Sequence, residues 1–284
     1  MADDYLGKKM EDYLKGNIKR TRTRRLTPAG NKPGTLSVKF PPRRVFVTGG
    51  ASGIGRAIVK ALTDAGCRVA FCDNDLPAGR DTSQATASQF HPVDVTDAEA
   101  LDNAMQRVIS SWGGIDVVVN NVGISGFKPI TECSVQDFDR IISTNLRPVF
   151  ITAKRLAAHR SSLQELTETA RIINISSTRA RMSEPESEAY AASKGGIESL
   201  THSLMASLAH LRVTVNCIAP GWINCGPEDE IRPTDRTFHP SGRVGVPADI
   251  AAAVLFLCSP EADFINGQTI TIDGGVTHKM IYPE

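Results

Sequence analysis

The run Val45-Phe46-Val47-Thr48-Gly49-Gly50-Ala51-Ser52-Gly53-Ile54-Gly55-Arg56 constrains the fold more than any other segment, because an apolar β-rich stretch meets a glycine turn and an amphipathic stretch follows. This pattern reads as strand, tight loop and helix start. Glycines let the backbone turn and approach a ligand closely, while the free amides and positive dipole end of a new helix attract negative charge. The loop therefore predicts a bound pyrophosphate, with Thr48, Gly49, Ser52, Gly53, Ile54 and Gly55 around it. A second apolar run, 68–72, ends at Asp73, about where a dinucleotide fold places the acid that hydrogen-bonds the adenine-ribose hydroxyls. Its charge would repel a 2′-phosphate, and residues 73–79 contain no Arg or Lys. NAD(H) is thus expected over NADP(H). Asp73 also suits the first position of an Asp73-Asn74-Asp75 turn.

From Arg43 onward the pattern alternates. Nearly continuous apolar runs at 44–48, 68–72, 90–93, 115–120, 171–175, 212–218 and 268–272 predict strands of a parallel sheet covered on both faces. Helical patterns fall between them at 53–65, 77–88, 97–112, 134–158, 188–209 and 247–258. The predicted fold class is α/β, a single Rossmann-type doubly wound sheet of about seven strands, with ligands beyond the carboxyl ends of the strands.

Tyr190 and Lys194 stand four apart on the predicted helix 188–209. One helical turn puts i and i+4 side chains on one face, so the Lys194 ammonium is expected beside the Tyr190 phenol. A fixed cation lowers a phenol's pKa and makes its oxygen a usable acid or base.

These motifs together resemble the short-chain dehydrogenase/reductase family over roughly residues 43–277. They are Thr48-Gly49-x-x-x-Gly53-Ile54-Gly55, Asp94-Val95, Asn120-Asn121-Val122-Gly123, Asn145, Ile175-Ser176-Ser177, Tyr190-x-x-x-Lys194, Pro220-Gly221 and Asp273-Gly274-Gly275, in the family's order. The resemblance implies a catalytic tetrad of Asn145, Ser177, Tyr190 and Lys194. In it Tyr190 exchanges a proton with the substrate oxygen, Ser177 hydrogen-bonds that oxygen, Lys194 holds the nicotinamide ribose, and Asn145 positions a water. Ser176 is the alternative to Ser177. Asp94 and Val95 should flank the adenine, Asn121 and Gly123 the inner cleft, and Pro220, Gly221 and Ile223 the nicotinamide. Ser52 fills a loop position where relatives preferring NADP often carry a basic side chain. Two departures stand out: Val122 replaces the usual Ala, and Asn224 stands where relatives commonly have Thr. Kinship further implies a homotetramer or dimer, paired through 134–158 and 188–209, with the C-terminal tail from Gly275 to Tyr282 at a second interface.

Composition bounds the rest. A 284-residue chain with 41% apolar content can bury one substantial core. No apolar run is long enough to span a membrane, and the opening Met-Ala-Asp-Asp lacks a secretory layout, so a soluble cytoplasmic protein is expected. Six cysteines show neither CxxC nor Cys/His clustering, so no metal and no disulfide framework are expected. The formal charge of +1 hides a split: residues 1–44 carry 12 Lys or Arg against 4 acids. Residues 1–42 therefore read as a basic extension, with a short helix and a solvated linker, ahead of a catalytic domain over 43–284. Acids in its opening residues argue against a mitochondrial transit peptide.

Two loops, 178–189 and 222–243, are expected to shape the substrate pocket, the second as an irregular lid. Arg179, Arg181, Glu186, Glu188, Arg232, Arg236 and His239 make them polar, which favours a sugar, polyol or other polar alcohol or carbonyl substrate over a steroid or fatty acyl group. The competing classes are an NAD(H)-sensing regulator and a nucleic-acid binder working through the basic arm. The complete tetrad disfavours the first, and the second requires salt-sensitive binding.

Overall fold

The computed structural model describes residues 41–280, and the basic segment lies outside them except for its last two residues. Seven parallel strands form one sheet in the order β3-β2-β1-β4-β5-β6-β7. They are β1 Arg44–Thr48, β2 Arg68–Asp73, β3 Gln89–Pro92, β4 Val117–Asn120, β5 Ala170–Ile175, β6 Val213–Pro220 and β7 Thr269–Ile272. The chain runs outward from β1 to β3, then returns to place β4 on the other side of β1. That reversal creates the switch point where open α/β sheets bind ligands.

The apolar runs are continuous because both faces are covered. In β1, Val45 and Val47 enter one core and Phe46 the other; in β4, Val117 and Val119 part from Val118 in the same way. The first core packs under α1 (Gly53–Asp64) and α8 (Pro247–Cys258). The second packs under α3 (Ala98–Trp112), α5 (Arg147–Ser161) and the end of α6 (Glu188–Leu208). Period-2 alternation thus feeds two cores at once, the signature of a sheet between helical layers.

Buried polar groups tie the sheet to its helices. Thr152 donates to Asn120 Oδ1 at 2.8 Å, Asn120 donates to Asn174 Oδ1 at 2.8 Å, and Asn174 donates to Thr201 Oγ1 at 2.9 Å. Each amide finds partners in the interior, so this ladder fixes β4 and β5 against α5 and α6 without leaving orphaned groups.

All seven strands lie where the sequence places them, and α2 spans Leu76–Thr86, capped by the Asp75 carboxylate accepting from Ala78 N. Two features differ. The predicted helix 134–158 is two helices, α4 (Val135–Asn145) and α5, meeting at Leu146. Pro148 has no N–H to continue the helical ladder, and the Val149 N–H closes a tighter turn onto Leu146 O at 3.1 Å. Within the expected irregular lid, Pro233–Phe238 forms a short helix, α7, opened by Pro233 and by Asp235, which accepts from Arg232 N.

Candidate active site

The carboxyl ends of β1, β2, β4, β5 and β6 open into a cleft of about 1510 Å³. One end is the glycine loop. Gly49 has φ +71, a left-handed conformation that side chains resist, and a Cβ there would meet Val122 at 3.0 Å. The Val122 departure therefore bears on the loop itself. At Gly55 a Cβ would fall 1.8 Å from Gly49 O, so only glycine lets α1 start this close to the turn. Ser52 caps α1 without a side-chain hydrogen bond, so no side-chain oxygen occupies the first amides of the helix. A backbone cradle with positive helix-end dipoles is the chemistry a pyrophosphate needs, and these residues fit one.

Asp73, at the end of β2, lines the cleft and accepts from Ala51 N at 3.0 Å and Asp75 N at 3.1 Å. It therefore holds the glycine loop and the turn at once. Asp94 and Val95 line the same end, the Asp94 carboxylate accepting from Thr96 N and Oγ1. Asn121 donates to Gly49 O at 2.9 Å, bracing the loop from β4. Thr48 does not reach the cleft: its hydroxyl is buried, accepting from Asn121 N and Val122 N.

At the other end, Ser177, Tyr190 and Lys194 converge with Pro220, Gly221 and Ile223. Ser176 also lines the cleft, but the residue is buried and its hydroxyl donates to Lys194 O at 2.9 Å. Lys194 is buried, donates to Ile175 O at 2.9 Å and lies 5.6 Å from the Tyr190 ring centroid; a Cβ at Gly123 would stand 3.2 Å from its Nζ. Asn145 closes α4 behind this group. Its amide clasps the backbone of Ile124, accepting from N at 2.8 Å and donating to O at 3.0 Å, and also donates to Ser193 Oγ at 3.0 Å. Ser193 in turn donates to Tyr190 O at 2.7 Å, so Asn145 anchors the turn of α6 that carries the phenol.

The electrostatics correct one expectation. Burial pushes the Tyr190 phenol above its ordinary value, and the opposing pull comes from Ser177 and Arg179 rather than from Lys194. Lys194 is instead itself pushed down to about 8 by burial, which disfavours its charged form. Spacing does bring the two side chains together, but desolvation decides the sign.

Three further differences concern the cleft walls. The side chain reaching the glycine loop from the segment after Pro220 belongs to Cys225, whose sulfur stands 3.2 Å from where a Gly53 Cβ would be. Asn224 turns away to hold its own loop through Gly226 O and Pro227 O. The substrate end is also not uniformly polar: Phe127, Met182, Trp222 and Phe238 line it with 43–47% of their surface exposed. Among the charged loop residues, Arg179 and His239 line the cleft, whereas Arg181 pairs with Glu198, Arg232 with Asp235 and Arg236 with Glu228. His239 Nδ1 lies 2.7 Å from Asp235 O, a group that can only accept, so that nitrogen carries a hydrogen.

A family model described as enoyl-(acyl carrier protein) reductase matches residues 49–277. An uncharacterized oxidoreductase of Thermotoga maritima is 38% identical over 254 residues, covering 84% of this chain and 97% of that protein. The chain belongs to the short-chain dehydrogenase/reductase family. As an oxidoreductase of this family it is also similar to mouse L-fucose dehydrogenase, at 34% identity over 84% of this chain and 89% of the relative. A crystal structure of 3-ketoacyl-(acyl-carrier-protein) reductase from Brucella melitensis complexed with NADH superposes with a TM-score of 0.77, at 28% identity, over 83% of this chain and 98% of that one. Short-chain dehydrogenases with such different substrates share this frame, so chemistry and specificity here have to be argued from the cleft.

Proposed function

We propose that this protein is an NAD(H)-dependent oxidoreductase interconverting a secondary alcohol and a ketone. The observation that carries the reading is the convergence of Ser177, Tyr190 and Lys194 in one cleft with the glycine loop. Bound nicotinamide would supply hydride transfer to or from the carbinol carbon. Tyr190 takes the hydroxyl proton during oxidation and returns it during reduction. Ser177 hydrogen-bonds the same oxygen and fixes its distance from the phenol. Lys194 spends one N–H on Ile175 O and has two left for ribose hydroxyls. The Asn145 side chain spends both amide hydrogens on Ile124 O and Ser193 Oγ, so a relay water would find it only as an acceptor, through the second lone pair of Oδ1.

Asp73 supports NAD(H) over NADP(H), because a carboxylate at the ribose end disfavours an added phosphate. Since the same carboxylate holds Ala51 N–H, substitution would also disturb the loop, and the preference of the unaltered enzyme is the cleaner readout. A panel of secondary alcohols, hydroxy acids, sugars and polyols with NAD⁺ and NADP⁺, followed at the nicotinamide absorbance, tests the reading. Turnover is expected with NAD⁺ at a lower KM than with NADP⁺, and no turnover with either would overturn it.

Assembly as a dimer or tetramer belongs to the same reading. Val135 and Phe138 on α4 and Phe150 on α5 are large exposed apolar side chains on the segment expected to pair subunits. Sedimentation velocity should give a dimer or larger, and a monomer at working concentration would refute the assignment.

A further inference from the structure

We infer that Arg179 is the specificity determinant of this site and that the substrate is a hydroxy or oxo acid, with a carboxylate received by the guanidinium and an apolar body held by the aromatic mouth. This rests on the oxidoreductase reading and goes beyond it to a substrate class. Arg179 follows Ser177 by two residues, and its backbone N–H donates to the Ser177 hydroxyl at 3.2 Å, so guanidinium and proposed catalytic serine belong to one rigid turn. The guanidinium carbon stands 4.7 Å over the Phe127 ring, whose centroid is 6.4 Å from that of Tyr190. Arg179 is therefore stacked on the ring that neighbours Tyr190, and its charge acts on the phenol.

Besides the buried Lys194, the cleft lining includes Arg179, Arg140 and Glu184. Arg140 Nη2 lies 3.5 Å from where a Cβ of the adjoining Gly126 would be. Glu184 pairs with Arg179 but is 67% exposed on its side chain, so the carboxylate that now engages the guanidinium is a solvent-facing one that a substrate carboxylate can replace like for like. Two cations against one displaceable anion leave the wall positive, and a planar guanidinium matches a carboxylate through paired N–H donors. In the same cleft, Met182, Trp222 and Phe238 offer apolar surface that a polyol would leave poorly used. An acid with an aliphatic or aromatic body uses both.

The test compares 2-, 3- and 4-hydroxy acids bearing apolar chains with their methyl esters, which differ mainly in charge, using NAD⁺ and the full-length enzyme. The unaltered enzyme should favour one acid over its ester in kcat/KM. Arg179→Gln should lower that acid-to-ester ratio about 10- to 100-fold, the range of a charge-assisted hydrogen bond. Arg179→Lys should recover part of it, and Glu184→Gln should lower KM for the acid by freeing the guanidinium. An unchanged ratio in Arg179→Gln, with NADH binding intact, overturns the inference, as does an unaltered enzyme that oxidises esters or neutral alcohols and no acid. Should Arg179→Gln fail to bind NADH, the Glu184→Gln arm decides, a rise in acid KM counting against. Absence of turnover with every alcohol would instead remove the underlying oxidoreductase reading.

Discussion

Tyr190→Phe is expected to cut alcohol oxidation by about 10²- to 10⁴-fold while leaving NADH binding within a few-fold of the parent. The substitution removes one oxygen from a ring that neighbours Phe127 and the Lys194 Nζ, so packing is kept while the proton-transfer atom is lost. NADH fluorescence reads the binding and nicotinamide absorbance the turnover. Near-parental turnover in the variant would end the role assigned to the phenol. A pH profile of the parent enzyme adds a sign. Burial raises the phenol, and Ser177 and Arg179 oppose it only in part, so the tyrosinate form is scarce at neutral pH. Oxidation, which needs the base, should climb as pH rises through the Tyr190 pKa, whereas reduction, which needs the acid, should fall over the same range. Arg179→Gln removes one of the two groups pulling this value down, so its oxidation profile should move to higher pH.

Much of the fold is written locally in the chain, which is why it could be read before the structure. Each strand is an apolar run feeding two cores, as Val45, Phe46 and Val47 do, and a run of that kind has few other places to go. The glycine loop is legible for the same reason, since Gly49 and Gly55 answer steric demands made within a few residues. What was misread depends on distant parts of the chain. Phe127, Met182, Trp222 and Phe238 come from separate segments, each otherwise polar, and only folding gathers them at one mouth. The engagement of Asn145 with Ile124 crosses 21 residues and gives no signal in spacing. The break at Leu146 was marked by Pro148, but the surrounding apolar period carried through it. For Lys194, helical spacing correctly set proximity to Tyr190 and gave no information on burial, which reverses the expected sign of the phenol's shift.

That burial leads to the second large effect. Lys194→Met should abolish most turnover and at the same time stabilise the protein at neutral pH, because methionine fills an apolar slot without a charge to desolvate. The ammonium is pushed from 10.5 down to about 8 in the folded chain. Below pH 8 the lysine is charged in both folded and unfolded states, and the fold carries the whole burden, about 3 kcal/mol at most for a shift of this size. Between pH 8 and 10.5 the folded chain holds it neutral while the unfolded chain keeps its proton. The unfolded state then binds more protons, so stability rises with pH across that window. Above it both forms are neutral and the burden is gone. The bond to Ile175 O favours the charged form and trims the effect without changing its sign. Urea unfolding of parent and variant at pH 7 and pH 10 should therefore show the methionine form ahead by about 1–3 kcal/mol at the lower pH, with most of that lead gone at the higher. Taking the difference cancels the titrating groups that do not interact with Lys194. A methionine variant less stable than the parent at pH 7, or a difference that does not change with pH, would mean that the buried amine is held charged at little expense. A lysine that costs stability and is kept beside Tyr190 is what a functional site looks like when its chemistry, rather than its packing, has set the residue.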